Sequence, residues 1–224
     1  MVVLAVNAST VFLQGFGLTV TLSLTVALVQ LLFTLVFVTP LWRTVWRWLP
    51  KLNDWVYPDL NGIWDVELKS NFSRIDALLK SAKGDEHSLD FRSAHESALP
   101  PLSVHKMHAR ITQSWAKIEM EFWNPDGTGP IKDSTTLMVE PFRRSGGRHG
   151  LAYIFDQSNE TDVMSDESKF RGAGWIERDR DDENVFSGRM WTDRKWRFGM
   201  NTAGEVRFTR QITRPVRAIL PRRN

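Results

Sequence analysis

The chain has 224 residues, with 29 Lys and Arg against 26 Asp and Glu, for a formal net charge of +3. It contains no cysteine, which excludes a disulfide framework and any cysteine-ligated zinc site. The charge is unevenly placed: residues 1–42 hold no Asp, Glu, Lys or Arg, and all 29 basic and 26 acidic residues lie from Arg43 onward.

Leu18 to Val38 (LTVTLSLTVALVQLLFTLVFV) supplies the roughly 20 apolar residues that cross a bilayer, with Gln30 as the one strongly polar interruption. The run is longer than a signal-peptide core, lacks a basic flank before it, and leads into Trp42 and Arg43 rather than a small-residue cleavage site. It is therefore expected to remain in the mature protein as a transmembrane helix. Met1 to Gly17 is apolar as well, and Gly15-Phe16-Gly17 fits a tight turn. A thin first span, a tilted one and an extracytoplasmic stub all stay open for that stretch, so the sequence is compatible with one span or two. Arg43, Arg47 and Lys51 follow the run and no basic residue precedes it, which places the C-terminal side in the cytoplasm. Trp42, Trp46, Trp48, Trp55 and Tyr57 crowd the same boundary as an aromatic belt would. Residues 1–42 thus read as the transmembrane part and 43–58 as a juxtamembrane linker.

After Asp59 the dominant period is two. Trp64, Val66 and Leu68 alternate with charged neighbours, as do Ile118, Met120 and Phe122, and Val206 and Phe208. Each pattern predicts a strand with one buried and one wet face. Further strands are expected near 106–114, 134–140, 150–156, 169–177 and 185–192, separated by turn sequences such as Asn124-Pro125-Asp126-Gly127 and Asp181-Asp182-Glu183-Asn184. About eight antiparallel strands at hairpin spacing favour closure into a β-barrel over 59–212, because closure removes exposed edges. Within it, 71–102 is a long insert. Ser73 is placed to cap a short helix through Ile75, Leu78 and Leu79 that ends near Gly84. Residues 213–224 form a basic tail, rich in Arg, for which a solvated segment is the ordinary reading and attraction to anionic lipid headgroups the less common one.

Catalytic patterns are weak, and a non-enzymatic role with no cofactor and no metal is expected. His105 and His108, three apart on a strand, fall on opposite faces and are poorly placed to share a metal. In Glu177 to Glu183 the interleaved Arg178 and Arg180 neutralise a run that otherwise suggests calcium, so a solvated hairpin tip is expected. No nucleophile elbow, phosphate loop or paired-histidine zinc helix is present. Ligand binding has more support. Trp64, Trp115, Trp123, Trp175, Trp191 and Trp196 fall in or beside strands, and aromatic faces stack on bases, although core filling is the ordinary role of each. Arg171, Arg189, Arg194 and Arg197 lie nearby with planar forks suited to phosphates.

Leu60-Asn61-Gly62-Ile63-Trp64-Asp65-Val66-Glu67-Leu68-Lys69-Ser70-Asn71 resembles the first barrel strand of the SMODS-associating, two-transmembrane, β-strand-rich effectors of bacterial cyclic-oligonucleotide (CBASS) antiphage defence. Ile111 to Trp115, Ser134-Thr135-Thr136, Leu151-Ala152-Tyr153, Phe186 to Arg194 and Gly204 to Phe208 extend the similarity over most of the chain, in the same order. The resemblance implies a receptor at the bacterial inner membrane. A partner nucleotidyltransferase would supply a cyclic dinucleotide, the cytoplasmic barrel would bind it, and the protein would then assemble as a homo-oligomer that breaches the lipid bilayer. No DNA or RNA partner is expected.

The resemblance and side-chain chemistry together nominate Gln113, Ser134, Thr136, Tyr153, Trp191, Thr192 and Arg194 as ligand-binding residues. The hydroxyls and Gln113 would bond base edges and phosphates, Tyr153 or Trp191 would stack a base, and Arg194 would neutralise a phosphate. Two other functions compete: an anchored lipocalin-like barrel for an apolar ligand, and a structural envelope module. The first requires an aliphatic interior and the receptor requires inward Arg, Ser, Thr and aromatic groups, so the site must decide, and an adjacent nucleotidyltransferase gene would discriminate fastest.

Overall fold

The computed structural model describes residues 22–84, 90, 93–127, 131–159 and 167–211. The expectations for residues 1–21, for the end of the strand domain at 212 and for the tail at 213–224 lie outside the described residues. The chain divides into two compact units: one of Met1–Asp59 with Gln113–Ile118, the other of Leu60–Thr112 with Glu119–Asn224.

In the first unit, α1 (Leu22–Val38) is followed by α2 (Leu41–Trp48) and the single-turn α3 (Leu52–Trp55). Pro40 stops α1, because it has no N–H to donate and it disfavours helical backbone at Thr39. The Thr39 hydroxyl donates to the Leu35 carbonyl one turn back and closes the helix end. Among the described residues no single helix is long and apolar enough to cross a membrane. The stretch Ser23–Phe37 meets that standard of length and composition only together with Leu41–Trp48, and the two are bent by 85°. Of the expected span, Leu22 to Val38 forms one helix, which ends before the bend at Thr39-Pro40. Of the tryptophans read as its belt, Trp42, Trp46 and Trp48 belong to α2 and Trp55 to α3. Trp42 and Trp46 are buried, one turn apart on α2, and meet edge to face at 5.4 Å. Trp46 meets Trp115 at 5.5 Å, and Trp115 meets Phe37 at 4.4 Å. The Trp46 indole donates to the Tyr57 carbonyl at 2.8 Å, and Arg43 pairs with Asp59 at 2.8 Å.

The second unit is a closed barrel of eight antiparallel strands in sequence order. They are β1 (Gly62–Ser70), β2 (Ser103–Gln113), β3 (Ile118–Trp123), β4 (Ile131–Arg143), β5 (His149–Asn159), β6 (Lys169–Arg178), β7 (Val185–Thr192) and β8 (Ala203–Arg210). Closure is explicit in the register: Val66 is paired with Met107 of β2 and with Phe208 of β8. The apolar parity of the sequence is the buried one, since Trp64, Val66, Ile118, Met120, Phe122, Val206 and Phe208 are all buried. Trp64 anchors this core: its indole donates to the Leu60 carbonyl at 3.0 Å and its ring meets Phe186 edge-on at 5.6 Å. Removing one such ring from water contributes about 2–3 kcal/mol.

The expected strands are present, and several are longer than their alternation indicates. β2 starts at Ser103, and β4 runs from Ile131 to Arg143. In β4 the register slips between Ile131 and Asp133 and again between Thr136 and Met138. Each bulge adds a residue and flips the parity that follows, so no single period of two runs through the strand. The insert holds the expected helix, α4 (Phe72–Lys83), and Gly84 ends it at φ 78° in the left-handed region. Ser73 is not its cap. Asn71 precedes the helix without a capping side-chain bond, its Oδ1 instead accepts from the Ala203 N–H at 2.9 Å, and the Ser73 hydroxyl donates to the Pro101 carbonyl. Both side chains are engaged by distant segments, a competition no local pattern reveals.

Several glycines permit close approaches across strands, Gly172 and Gly188 among them. Gly172 faces Phe155, whose ring covers the place a β-carbon would take, at 2.2 Å. At Gly188 a β-carbon would lie 1.8 Å from the Trp175 carbonyl oxygen and 2.8 Å from the Ile176 α-carbon, both backbone atoms that cannot swing aside. Gly188→Ala is therefore expected to force β6 and β7 apart and to cost about 3 kcal/mol or more. That corresponds to a fall in Tm of roughly 6–12 °C for a domain of this size, measurable by near-UV circular dichroism. An unchanged Tm would contradict the close approach.

Candidate functional site

Along β1 the inward positions read Trp64, Val66, Leu68, Ser70, and along β5 they read Leu151, Tyr153, Phe155, Gln157, Asn159. In both strands the buried face turns from apolar to polar at the C-terminal end. Because neighbouring strands are antiparallel, that end also gathers the starts of β2, β4, β6 and β8 and the end of β7. Six buried polar residues of the barrel, Ser70, Ser134, Gln157, Asn159, Thr192 and Thr202, lie there. Ser134 pairs directly with Gln157, and the Gln157 amide donates to Asn159 Oδ1 at 2.8 Å. Buried polar groups need partners, and a cluster of them at one end of an apolar barrel is costly unless something uses it.

Two spaces meet at this cluster. Beneath it lies a void of about 30 Å³, lined by Val66, Leu68, Met107, Phe122, Tyr153, Phe155, Met190 and Val206 with Ser134 and Gln157. At about 10–15 Å³ per water, it has room for two or three waters and for no larger molecule. Above it, a pocket of about 560 Å³ straddles the rim of β4, β5 and β6 and again includes Ser134 and Gln157. Its wall carries Asp133, Asp156 and Asp193 together with Lys169, Arg171 and Phe170. The Arg171 guanidinium holds Asp156 at 2.9 Å, while its backbone N–H donates to Asp193 Oδ1 at 2.7 Å. The rim is thus of mixed charge rather than a bare anion trap.

The nominated residues separate into three groups. Ser134 and Tyr153, 5% and 4% exposed, line the interior void, and Ser134 also reaches the rim pocket. Burial raises the Tyr153 phenol well above its ordinary value of 10, so it is a neutral hydroxyl at any physiological pH. Arg194 is half-buried at the same end, with its guanidinium 5.3 Å from the Phe72 ring centre and 5.7 Å from that of Phe170. Thr192 is there too, but its hydroxyl bonds Thr202 Oγ1 at 2.8 Å and closes the loop that carries Arg194. Thr136 is committed to structure: its hydroxyl accepts from the Met120 N–H at 2.8 Å and donates to the Met120 carbonyl at 3.1 Å, beside the second bulge of β4. Trp191 lies on the outward parity, 48% exposed, away from the interior set. Gln113 ends β2 at the opposite end of the barrel strands and donates to the Pro58 carbonyl at 3.2 Å.

Gln157, Asn159 and Phe170 were not nominated by the sequence, and Arg171 was read only as one of four arginines suited to phosphates. The signal for two of them was available, because Gln157 and Asn159 continue the inward parity of Leu151, Tyr153 and Phe155. His105 also belongs with them. It lies on the parity of Ala109 and Ile111 near the start of β2, paired with Leu68, while His108 takes the other face and pairs with Asp65 at 2.9 Å. Among the described residues, no group of three His, Cys, Asp or Glu is placed to hold a metal ion.

No protein-family model matches the chain, and no curated protein matches it in sequence. The resemblance to the SMODS-associating effectors therefore rests on the motifs quoted above.

Partial burial lowers the pKa of His105 below its ordinary value of 6.5. The unfolded chain then binds this proton more readily than the folded one. Neutral His105 contributes full stability above pH 6.5, and that contribution is lost as pH falls from 6.5 toward the folded pKa. Thermal melts between pH 7.5 and 5 should show a fall in Tm that is smaller in His105→Gln. Equal falls in both proteins would remove His105 from the account.

Proposed function

We propose that this protein is a membrane-anchored receptor whose barrel binds a cyclic dinucleotide at its polar end. The supporting observation is the junction of the two spaces: a void of about 30 Å³ inside, and a pocket of about 560 Å³ at the rim, with buried Ser134 and Gln157 common to both. Pockets that hold small ligands measure roughly 300–1,000 Å³, so the rim has the capacity that the interior lacks. A filled interior argues against the lipocalin-like reading, since an acyl chain has no place to go. The mixed rim suits a ligand that carries both phosphates and hydrogen-bond donors. Lys169, Arg171 and Arg194 would meet the phosphates, and Asp133, Asp156 and Asp193 would accept from base N–H and ribose O–H groups. Phe170, already under the Arg194 guanidinium, offers a face for stacking.

In this reading the uncharged N-terminal segment, including α1, holds the protein in the bacterial inner membrane with the barrel in the cytoplasm, as the basic flank of Arg43, Arg47 and Lys51 indicates. A partner nucleotidyltransferase provides the ligand, and occupation of the barrel leads to homo-oligomer assembly and breach of the bilayer. These steps rest on the family resemblance.

Calorimetry on the purified full chain, against a panel of cyclic di- and trinucleotides and a fatty acid, tests the reading. Arg194→Ala should weaken nucleotide binding about ten- to a hundredfold, the loss expected for one charge-assisted contact of about 1.5–3 kcal/mol. Trp191→Ala, outside the interior set, should leave binding within about twofold. Tight binding of the fatty acid with no nucleotide bound, or an intact affinity in Arg194→Ala, would overturn it.

A further inference from the structure

We infer that α2 is an interfacial helix that lies in the plane of the bilayer and engages anionic phospholipid headgroups. The inference rests on the membrane anchoring proposed above and adds a second, lipid-selective contact to it. The bend is the first ground. Helices Ser23–Phe37 and Leu41–Trp48 are bent by 85° from one another, so if the first runs along the bilayer normal, the second lies close to the bilayer plane. A transmembrane helix typically tilts by about 20°, which leaves that relation intact.

The distribution of side chains around α2 is the second ground. At 100° per residue its eight residues form three faces. Trp42 and Trp46 make one, buried within the unit against Trp115. Leu41 and Trp48 share another, 49% and 79% exposed, which is an unusual cost for side chains of this size in water. Arg43 and Arg47 lie one turn apart on the side roughly opposite Leu41 and Trp48. An in-plane helix dips its apolar face into the acyl boundary and holds its cations at headgroup level. Past the helix, Leu49 and Trp55 are also exposed, at 57% and 68%. Charge selects the lipid class: Arg43 is paired with Asp59, but Arg47 and Lys51 add two further cations in a stretch, Leu41 to Lys51, that holds no acid, and each cation is held about fivefold more tightly beside an anionic leaflet than beside a neutral one.

The absence of native cysteine makes a direct test clean, because each introduced cysteine carries the only nitroxide label. Single variants Leu41→Cys, Val45→Cys, Arg47→Cys and Trp48→Cys of the full chain would be labelled in nanodiscs. Their depths would be read by electron paramagnetic resonance with oxygen and a water-soluble nickel chelate. Leu28→Cys and Leu32→Cys on α1 serve as references. The expected result is one shallow depth at positions 41, 45 and 48, with position 47 nearer water. A depth that changes steadily by about 1.5 Å per residue, roughly 10 Å over the helix, would mean that α2 continues the span and would overturn the inference. Full water exposure at 41 and 48 with deep references would overturn it as well, leaving the anchoring intact. Water-exposed references would instead sink the anchoring reading itself. Discs of phosphatidylglycerol and phosphatidylethanolamine should hold the position 48 label deeper than discs of phosphatidylcholine, and Arg47→Glu should abolish that difference. A depth indifferent to lipid charge would remove the anionic selectivity.

Discussion

Closure of the sheet is the constraint on which the rest of this structure depends. β1 bonds to β2 on one side and to β8 on the other, so no strand edge is left open and every side chain is either inside or outside. Eight strands enclose only a narrow interior. Once Trp64, Phe122, Tyr153, Phe155, Phe186 and Phe208 are placed inward, that interior is nearly full. The two close approaches at Gly172 and Gly188 express the same limit, since the strands can carry such rings and remain in register only where a neighbour lacks a β-carbon.

A full interior moves any binding function to an end of the barrel. The antiparallel order brings one set of strand ends together, and six buried polar residues of the barrel collect there, while buried His149 lies at the other end, at the start of β5. The loop after β7 is fastened over this end by the Thr192–Thr202 hydroxyl pair and by Asp193, whose carboxylate accepts from the Arg171 N–H. Arg194 is thereby held over Phe72 and Phe170 rather than left to swing in solvent. A guanidinium held in advance loses less freedom when a ligand arrives, which favours affinity without any additional contact.

The N-terminal unit follows a different physical rule. Its cohesion comes from aromatic rings in sequence, Phe33 on Phe37, Phe37 on Trp115, Trp115 on Trp46 and Trp46 on Trp42. Apolar area that would bury against a core in a water-soluble helix is instead left outward on α1, where Leu24, Leu28, Leu31, Leu32 and Leu35 are exposed. Such exposed apolar side chains are costly in water.

By itself, the sequence determined where the barrel strands lie. Clean alternation in 64–68, 118–122 and 206–208 reads as strands with a known inward face, because hydrophobic burial acts on each residue through its local period. The helix ending at Gly84 was legible for the same local reason. The uncharged stretch gave the expectation of a membrane span, and among the described residues no single helix is long and apolar enough to be one. The tertiary structure decided what depends on distant partners. Ser73 and Asn71 left their capping roles for Pro101 and Ala203. Thr136, legible as a ligand hydroxyl, is consumed by the Met120 backbone at a bulge that no alternation announces. Trp191 fell on the outward parity, and Gln113 at the far end of its strand. Gln157, Asn159 and Arg171 gained their place only when closure brought β4, β5 and β6 to one rim. Local periodicity specifies which face of an element is dry, but register and closure determine which dry and polar residues become neighbours.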